Sequence, residues 1–258
     1  MKRPEFNPHS LRNLNRGLVE ADNVHAVEYE EFIRTFDWQQ GEHIGMIGPT
    51  GSGKTTLALS LLEIRKYVVV FATKPKDSTL DQLVKRKKFR KIRHWRDSGW
   101  WGFGLSPSKY PKRILWPNAR SLYSAGKQQR VFREAFELAY DEGNWCIYLD
   151  ELWMMVNFLK LGFEVRVMLQ QARSLGISLV SATQRPAFVP LELYDQSSHL
   201  FFWRDNDERN LSRISGISWL NADYVRATVA NLKQHEVLYI CTRNSETRMV
   251  RFTPPPPE

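Results

Sequence analysis

The stretch Gly48-Pro49-Thr50-Gly51-Ser52-Gly53-Lys54-Thr55 decides how the rest of the chain is read. It matches G-x-x-x-x-G-K-[ST] at every constrained position. Before it comes GEHIGMIG (residues 41–48), a turn and a short buried strand. After it comes TTLALSLLEIRK (residues 55–66), whose apolar positions recur at helical spacing. Glycines let such a loop curl until several backbone N–H groups point into one concavity, and the helix N-terminus adds its positive dipole end. That cavity suits a triphosphate such as ATP. Lys54 is placed to bridge the β- and γ-phosphates, Thr55 to ligate Mg²⁺, and Thr56 completes the nucleotide-binding set.

Outward from the loop, strands alternate with helices. Residues 67–73 (YVVVFAT), 113–116 (RILW), 146–149 (CIYL), 177–182 (ISLVSA) and 199–203 (HLFFW) are apolar runs that read as strands. Such runs mark strands covered on both faces. Residues 29–36, 128–140, 162–175, 207–214 and about 219–232 read as helices, with one more short helix beyond Pro190. Residues 237–241 and 248–252 are close enough to pair as an antiparallel edge. The pattern, with the loop, predicts an α/β P-loop fold: a mostly parallel sheet with helices on both faces and antiparallel edge strands near the C-terminus. The expected organisation is an arm and short helix over 1–40 and an ATPase domain over 41–253. That domain carries a basic insertion at about 82–112. A Pro-rich tail over 254–258 should be extended and unable to pack.

Ligands of parallel sheets bind beyond the carboxyl ends of the strands. Two further motifs fall there. Cys146-Ile-Tyr-Leu-Asp150-Glu151 places two carboxylates at a strand end: Asp150 to hold the Mg²⁺ shell, Glu151 to polarise the attacking water. Helix N-cap chemistry is the other explanation of such a pair. The strand of residues 177–182 leads into Thr183-Gln184, which sets an uncharged amide beside the γ-phosphate. Arg173 ends the preceding helix. It caps the last carbonyls, or it reaches a neighbouring subunit's nucleotide as an arginine finger.

Charge is concentrated. The chain has 258 residues and a formal net charge of +9. Residues 85–120 hold 12 Lys/Arg and one acid, Asp97, whereas the remainder has 25 bases and 27 acids. Lys85, Arg86, Lys87, Lys88, Arg90, Lys91 and Arg93 lie in the densest part, just ahead of Trp100, Trp101 and Phe103. Cations with nearby rings suit a nucleic-acid surface, since they displace counterions from phosphates while rings stack on bases. A solvated basic face is the alternative. At 42% hydrophobic and 25% charged, the composition excludes a disordered or fibrous chain. The longest apolar runs fall far short of the ~18–20 residues of a membrane span. Cys146 and Cys241 fit reduced thiols, and the basic start of the chain has no apolar segment behind it, so a cytoplasmic protein is expected.

Taken together, residues 48 to about 216 resemble the FtsK/HerA superfamily of DNA-translocating ATPases. The most telling part is QQARSLGISLVSATQRP (residues 170–186), which couples Arg-x-x-Gly-Ile to Ala-Thr-Gln-Arg-Pro; residues 197–216 are similar to that family's next strand and polar helix. The resemblance implies a RecA-like P-loop NTPase core that assembles into a homo-oligomeric ring, pentamer or hexamer, hydrolyses ATP between subunits and moves double-stranded DNA. It implies nucleotide binding by Lys54 and Thr55, magnesium and catalytic roles for Asp150 and Glu151, a sensor role for Gln184, and action in trans by Arg173, with Arg204 and Arg209 behind it. A stripped core of this size is most similar to viral genome-packaging ATPases, which implies host-cytoplasmic or virion-associated location and a capsid vertex or portal protein as partner. A plasmid-transfer or chromosome-processing motor is the alternative within the superfamily. Outside it stand a P-loop kinase and a non-hydrolysing nucleic-acid-binding module.

Overall fold

The computed structural model describes residues 24–96, 110–117, 121, 123–214, 222–243 and 248–255. Within them nine strands make one sheet. They are β1 (His43–Ile47), β2 (Val68–Phe71), β3 (Arg90–Ile92), β4 (Lys112–Leu115) and β5 (Cys146–Leu149), then β6 (Ser178–Thr183), β7 (Ser197–Trp203), β8 (Val237–Cys241) and β9 (Arg248–Phe252). The spatial order is β3-β4-β2-β5-β6-β1-β7-β8-β9. Pairing is parallel from β3 to β7, while β7–β8 and β8–β9 are antiparallel. The α/β core with an antiparallel C-terminal edge is thus the observed architecture.

The helices are α1 (Tyr29–Thr35), α2 (Lys54–Leu62), α3 (Ser78–Lys85) and α4 (Ala125–Glu142), followed by α5 (Gly162–Gln171), α6 (Glu192–Asp195), α7 (Glu208–Ile214) and α8 (Ala222–Asn231). Every residue of β2, β5, β6 and β7 is buried, because helices cover both faces. Alternation along each strand divides the core. Val69 and Phe71 of β2 pack with Phe132 and Phe136 of α4, whereas Val68 and Val70 share the other layer with Leu57 and Leu61 of α2. Phe71 stacks on Phe132 at 5.0 Å between ring centroids.

Some expectations change on folding. The helix predicted over 55–66 ends at Leu62, and the chain turns through Ile64 while Arg65 donates to the carbonyls of Trp38 and Gln39. The basic segment supplies the end of α3 and the edge strand β3. There Phe89, Ile92 and Trp95 are buried, and Lys85, Arg86, Lys87, Lys88, Arg90 and Arg93 are exposed. Trp100, Trp101 and Phe103, and residues 1–23 of the arm, lie outside the described residues. Val27 N–H donates to Arg251 O at 2.8 Å, so the end of the arm lies along the β9 edge. The tail differs most: Pro254 is buried and packs against the site described below, because β9 delivers it there. No helix among the described residues is long and apolar enough to cross a membrane.

Candidate active site

β1 ends at Ile47, between β6 and β7. The loop that follows has the backbone its glycines make possible. Gly53 has φ +102°, which disfavours any side chain. At Gly48 the constraint is space: a Cβ there would lie 2.6 Å from Trp203 Cβ. Gly53 passes directly into α2 with Lys54 as its first residue.

Lys54 folds back over the loop. Its Nζ donates to the carbonyls of Gly48 and Pro49, both at 2.7 Å. Burial lowers its pKa to about 8, although Glu151 and Asp150 pull the other way. Without a ligand the ammonium is therefore held in a site that disfavours its charge, and an incoming anion relieves that cost.

The carboxylates arrive from β5. The Thr55 hydroxyl donates to Asp150 Oδ1 at 3.0 Å, and the buried Tyr148 hydroxyl donates to the same oxygen at 2.9 Å. Asp150 Oδ2 accepts from Lys74 Nζ at 2.9 Å. Burial opposes the Lys74 charge, but Asp150 and Asp77 outweigh it and raise its pKa. Lys74 is well placed because its carbonyl accepts from Trp116 Nε1 and the neighbouring Thr73 carbonyl accepts from Gln128 Nε2. Hydroxyl and carboxylate are hard oxygen donors, and two of them fit Mg²⁺, which keeps several waters and binds phosphate oxygens as well.

Glu151 lies between the ends of β5 and β6. Its Oε1 is 3.3 Å from Trp153 N and 3.4 Å from the Thr183 hydroxyl. Burial raises its pKa; amides of Trp153 and Gln184 and the Lys54 charge work against that rise. At the end of β6, Gln184 Oε1 accepts from the Thr50 hydroxyl at 2.5 Å, which ties the amide to the loop.

One pocket of about 400 Å³ is lined by the loop, Thr55, Lys74, Asp150 and Gln184, with Glu151 beside it but not among its lining residues. Residues 50–56 form its floor, Lys74, Asp150 and Gln184 one end, and Gln234, His235 and residues 253–255 the other. The structure thus brings together the loop, Thr55, Thr56, Asp150, Glu151 and Gln184. It does not bring Arg173 to them. Arg173 is exposed on the 3₁₀ turn Ala172–Leu175, before β6, and its carbonyl lies beside Gly41 at the start of β1. The nucleotide loop lies past the other end of β1, a five-residue strand of roughly 16 Å. Arg204 and Arg209 are exposed after β7, at the nucleotide end. The basic residues proposed for DNA lie at the β3 edge, where Lys88 pairs with Glu63 at 2.6 Å and Lys91 with Asp81 at 3.7 Å.

Sequence reasoning missed Lys74, Tyr148 and the whole far end of the pocket. Lys74 had a usable signal, since it follows the carboxyl end of a buried strand. Tyr148 reads as an ordinary core residue, and only its neighbours reveal its hydroxyl's partner.

No protein-family model and no curated protein matches the chain in sequence. Comparison of folds does find neighbours. The genome packaging NTPase B204 of Sulfolobus turreted icosahedral virus 2, in complex with AMPPCP, superposes with a TM-score of 0.59 at 14% identity. That match covers 81% of this chain and 97% of B204. VirB4 of Thermoanaerobacter pseudethanolicus gives 0.60 at 10% identity, covering 83% and 90%. EccC (ATPases 2 and 3) of Thermomonospora curvata gives 0.51 at 12%, covering 83% of this chain and 38% of EccC. These matches cover 81–83% of this chain, and the chain shares the α/β fold of these ATPases.

Proposed function

We propose that the protein is an ATP-hydrolysing motor that translocates double-stranded DNA and packages a viral genome. The observation that carries this reading is the convergence of loop, magnesium donors and Gln184 in one pocket, with Glu151 beside it at the adjacent strand end, on a fold shared with a packaging NTPase. In it the loop amides and Lys54 bind and orient the triphosphate. Thr55 and Asp150 hold Mg²⁺, which when bound offsets negative charge on the phosphates. Tyr148 fixes Asp150, so the carboxylate keeps one orientation. Glu151 accepts a proton from the attacking water, and burial makes it a stronger base than an exposed carboxylate. Gln184 orients that water without adding charge near the γ-phosphate.

Arg173 is exposed at the end of β1 opposite its own loop, so a role for it in hydrolysis is a role in trans, between subunits of a ring. The exposed bases at the β3 edge are the proposed DNA contacts. A plasmid-transfer motor of the same superfamily shares this geometry, and the VirB4 neighbour favours it as the second reading. The test is ATP hydrolysis with and without duplex DNA. Strong stimulation by DNA is expected; turnover that needs a small phosphate acceptor indicates a kinase, and absence of turnover indicates a binding module.

A further inference from the structure

The far end of the pocket has no part in phosphate chemistry. Resting on the reading of this pocket as a nucleoside triphosphate site, we infer that the nucleotide's base is held there, between His235 and the segment Thr253-Pro254-Pro255.

Strand order sets the direction of the ligand. Groups that act on the terminal phosphoryl, Asp150 and Gln184, follow β5 and β6, on one side of β1. A triphosphate threaded through the loop with its γ-end toward them points its nucleoside the other way, over β7, β8 and β9. Those strands deliver the right residues. β7 is parallel to β1, β8 is antiparallel to β7, and β9 is antiparallel to β8, so β9 runs in the same sense as β1. Ile47 pairs with Phe202, and the next residue, Trp203, pairs with Val237, which pairs with Phe252. Phe252 is therefore level with Gly48, where the nucleotide loop begins, and residue 253 leaves the sheet one position further on. The turn before β8 reaches the same end. His235 Nδ1 lies 3.4 Å from Ser52 O, against the loop itself.

The chemistry suits a heteroaromatic ring. An imidazole and two proline rings offer flat faces, while the Gln234 amide and Thr253 hydroxyl can pair with ring nitrogens. Proline also explains why the segment is available. It has no N–H with which to extend β9, so the chain leaves the ladder and covers the pocket. Phe252 anchors its start by stacking on Phe32 at 4.0 Å between ring centroids. His235 has φ +64°, an uncommon conformation for a non-glycine residue, which suggests that its ring is kept for contact.

The experiment compares ATP with inorganic tripolyphosphate, which has the charge but no base. His235→Gly removes the imidazole at a position whose backbone glycine favours. Pro254→Ala with Pro255→Ala removes the opposite face and serves as an independent second variant. Each is expected to weaken ATP binding on the order of tenfold, the scale of one lost base stack, and to leave tripolyphosphate binding unchanged. Wild-type ATP affinity in both variants, or equal losses for ATP and tripolyphosphate, overturns the base assignment. Lys54→Ala separates the two levels of inference. It should weaken both ligands, and if it weakens neither, the nucleotide reading itself falls.

Discussion

Because Lys54 titrates at about 8 in the unliganded protein, nucleotide affinity should depend on pH in a range where most P-loop contacts do not change. The perturbation is a rise from pH 7 to pH 9 in metal-free buffer. At pH 7 about nine-tenths of the lysines are charged, and at pH 9 about one-tenth. A triphosphate binds the charged form and holds its proton more tightly, so the bound lysine stays charged as pH rises. The apparent affinity then falls by about tenfold across the interval, equivalent to about 1.4 kcal/mol. The sign follows from the depressed value: a group that loses its charge as pH climbs loses attraction for an anion. Calorimetric titration of ATP at several pH values measures the slope. Lys54→Arg supplies the control, since a guanidinium stays charged throughout. A lower absolute affinity in that variant is without consequence, because the slope is what is compared. A flat profile in the wild type, or an equal decline in Lys54→Arg, refutes the reasoning.

Glu151→Gln should retain ATP binding within about threefold, since no contact to the loop is lost, while hydrolysis falls by at least about 10²-fold; loss of binding would make the carboxylate structural. Arg173→Ala should abolish turnover alone but recover part of it when mixed with Glu151→Gln subunits, because one variant then offers its arginine to the other's intact acid; mixtures as inactive as their components remove the role in trans. If about five bases between Lys85 and Arg96 contact phosphates, log affinity for duplex DNA against log salt should have a slope near −4.5. A charge-neutralised variant with an unchanged slope returns that run to a solvated face.

All the strands except β3, most of the helices and the nucleotide loop were legible in the chain itself, for a local reason. A covered strand needs consecutive apolar residues, as in Val68–Phe71 and Cys146–Leu149, and a loop that curls around phosphate needs glycines at fixed intervals. The antiparallel edge was legible too, because only a short connection separates β8 from β9. What stood outside the reach of the sequence was order across the sheet, a property of contacts between residues far apart in the chain. Only the folded sheet puts Lys74 on Asp150, 76 positions away. It also turns Arg173 to the opposite end from its own loop, and it makes part of a basic stretch into an edge strand. The proline-rich segment shows the same limit most plainly. Its composition says that it is extended and unable to pack, yet the direction of β9 lays Pro254 and Pro255 against the pocket, where Pro254 is buried.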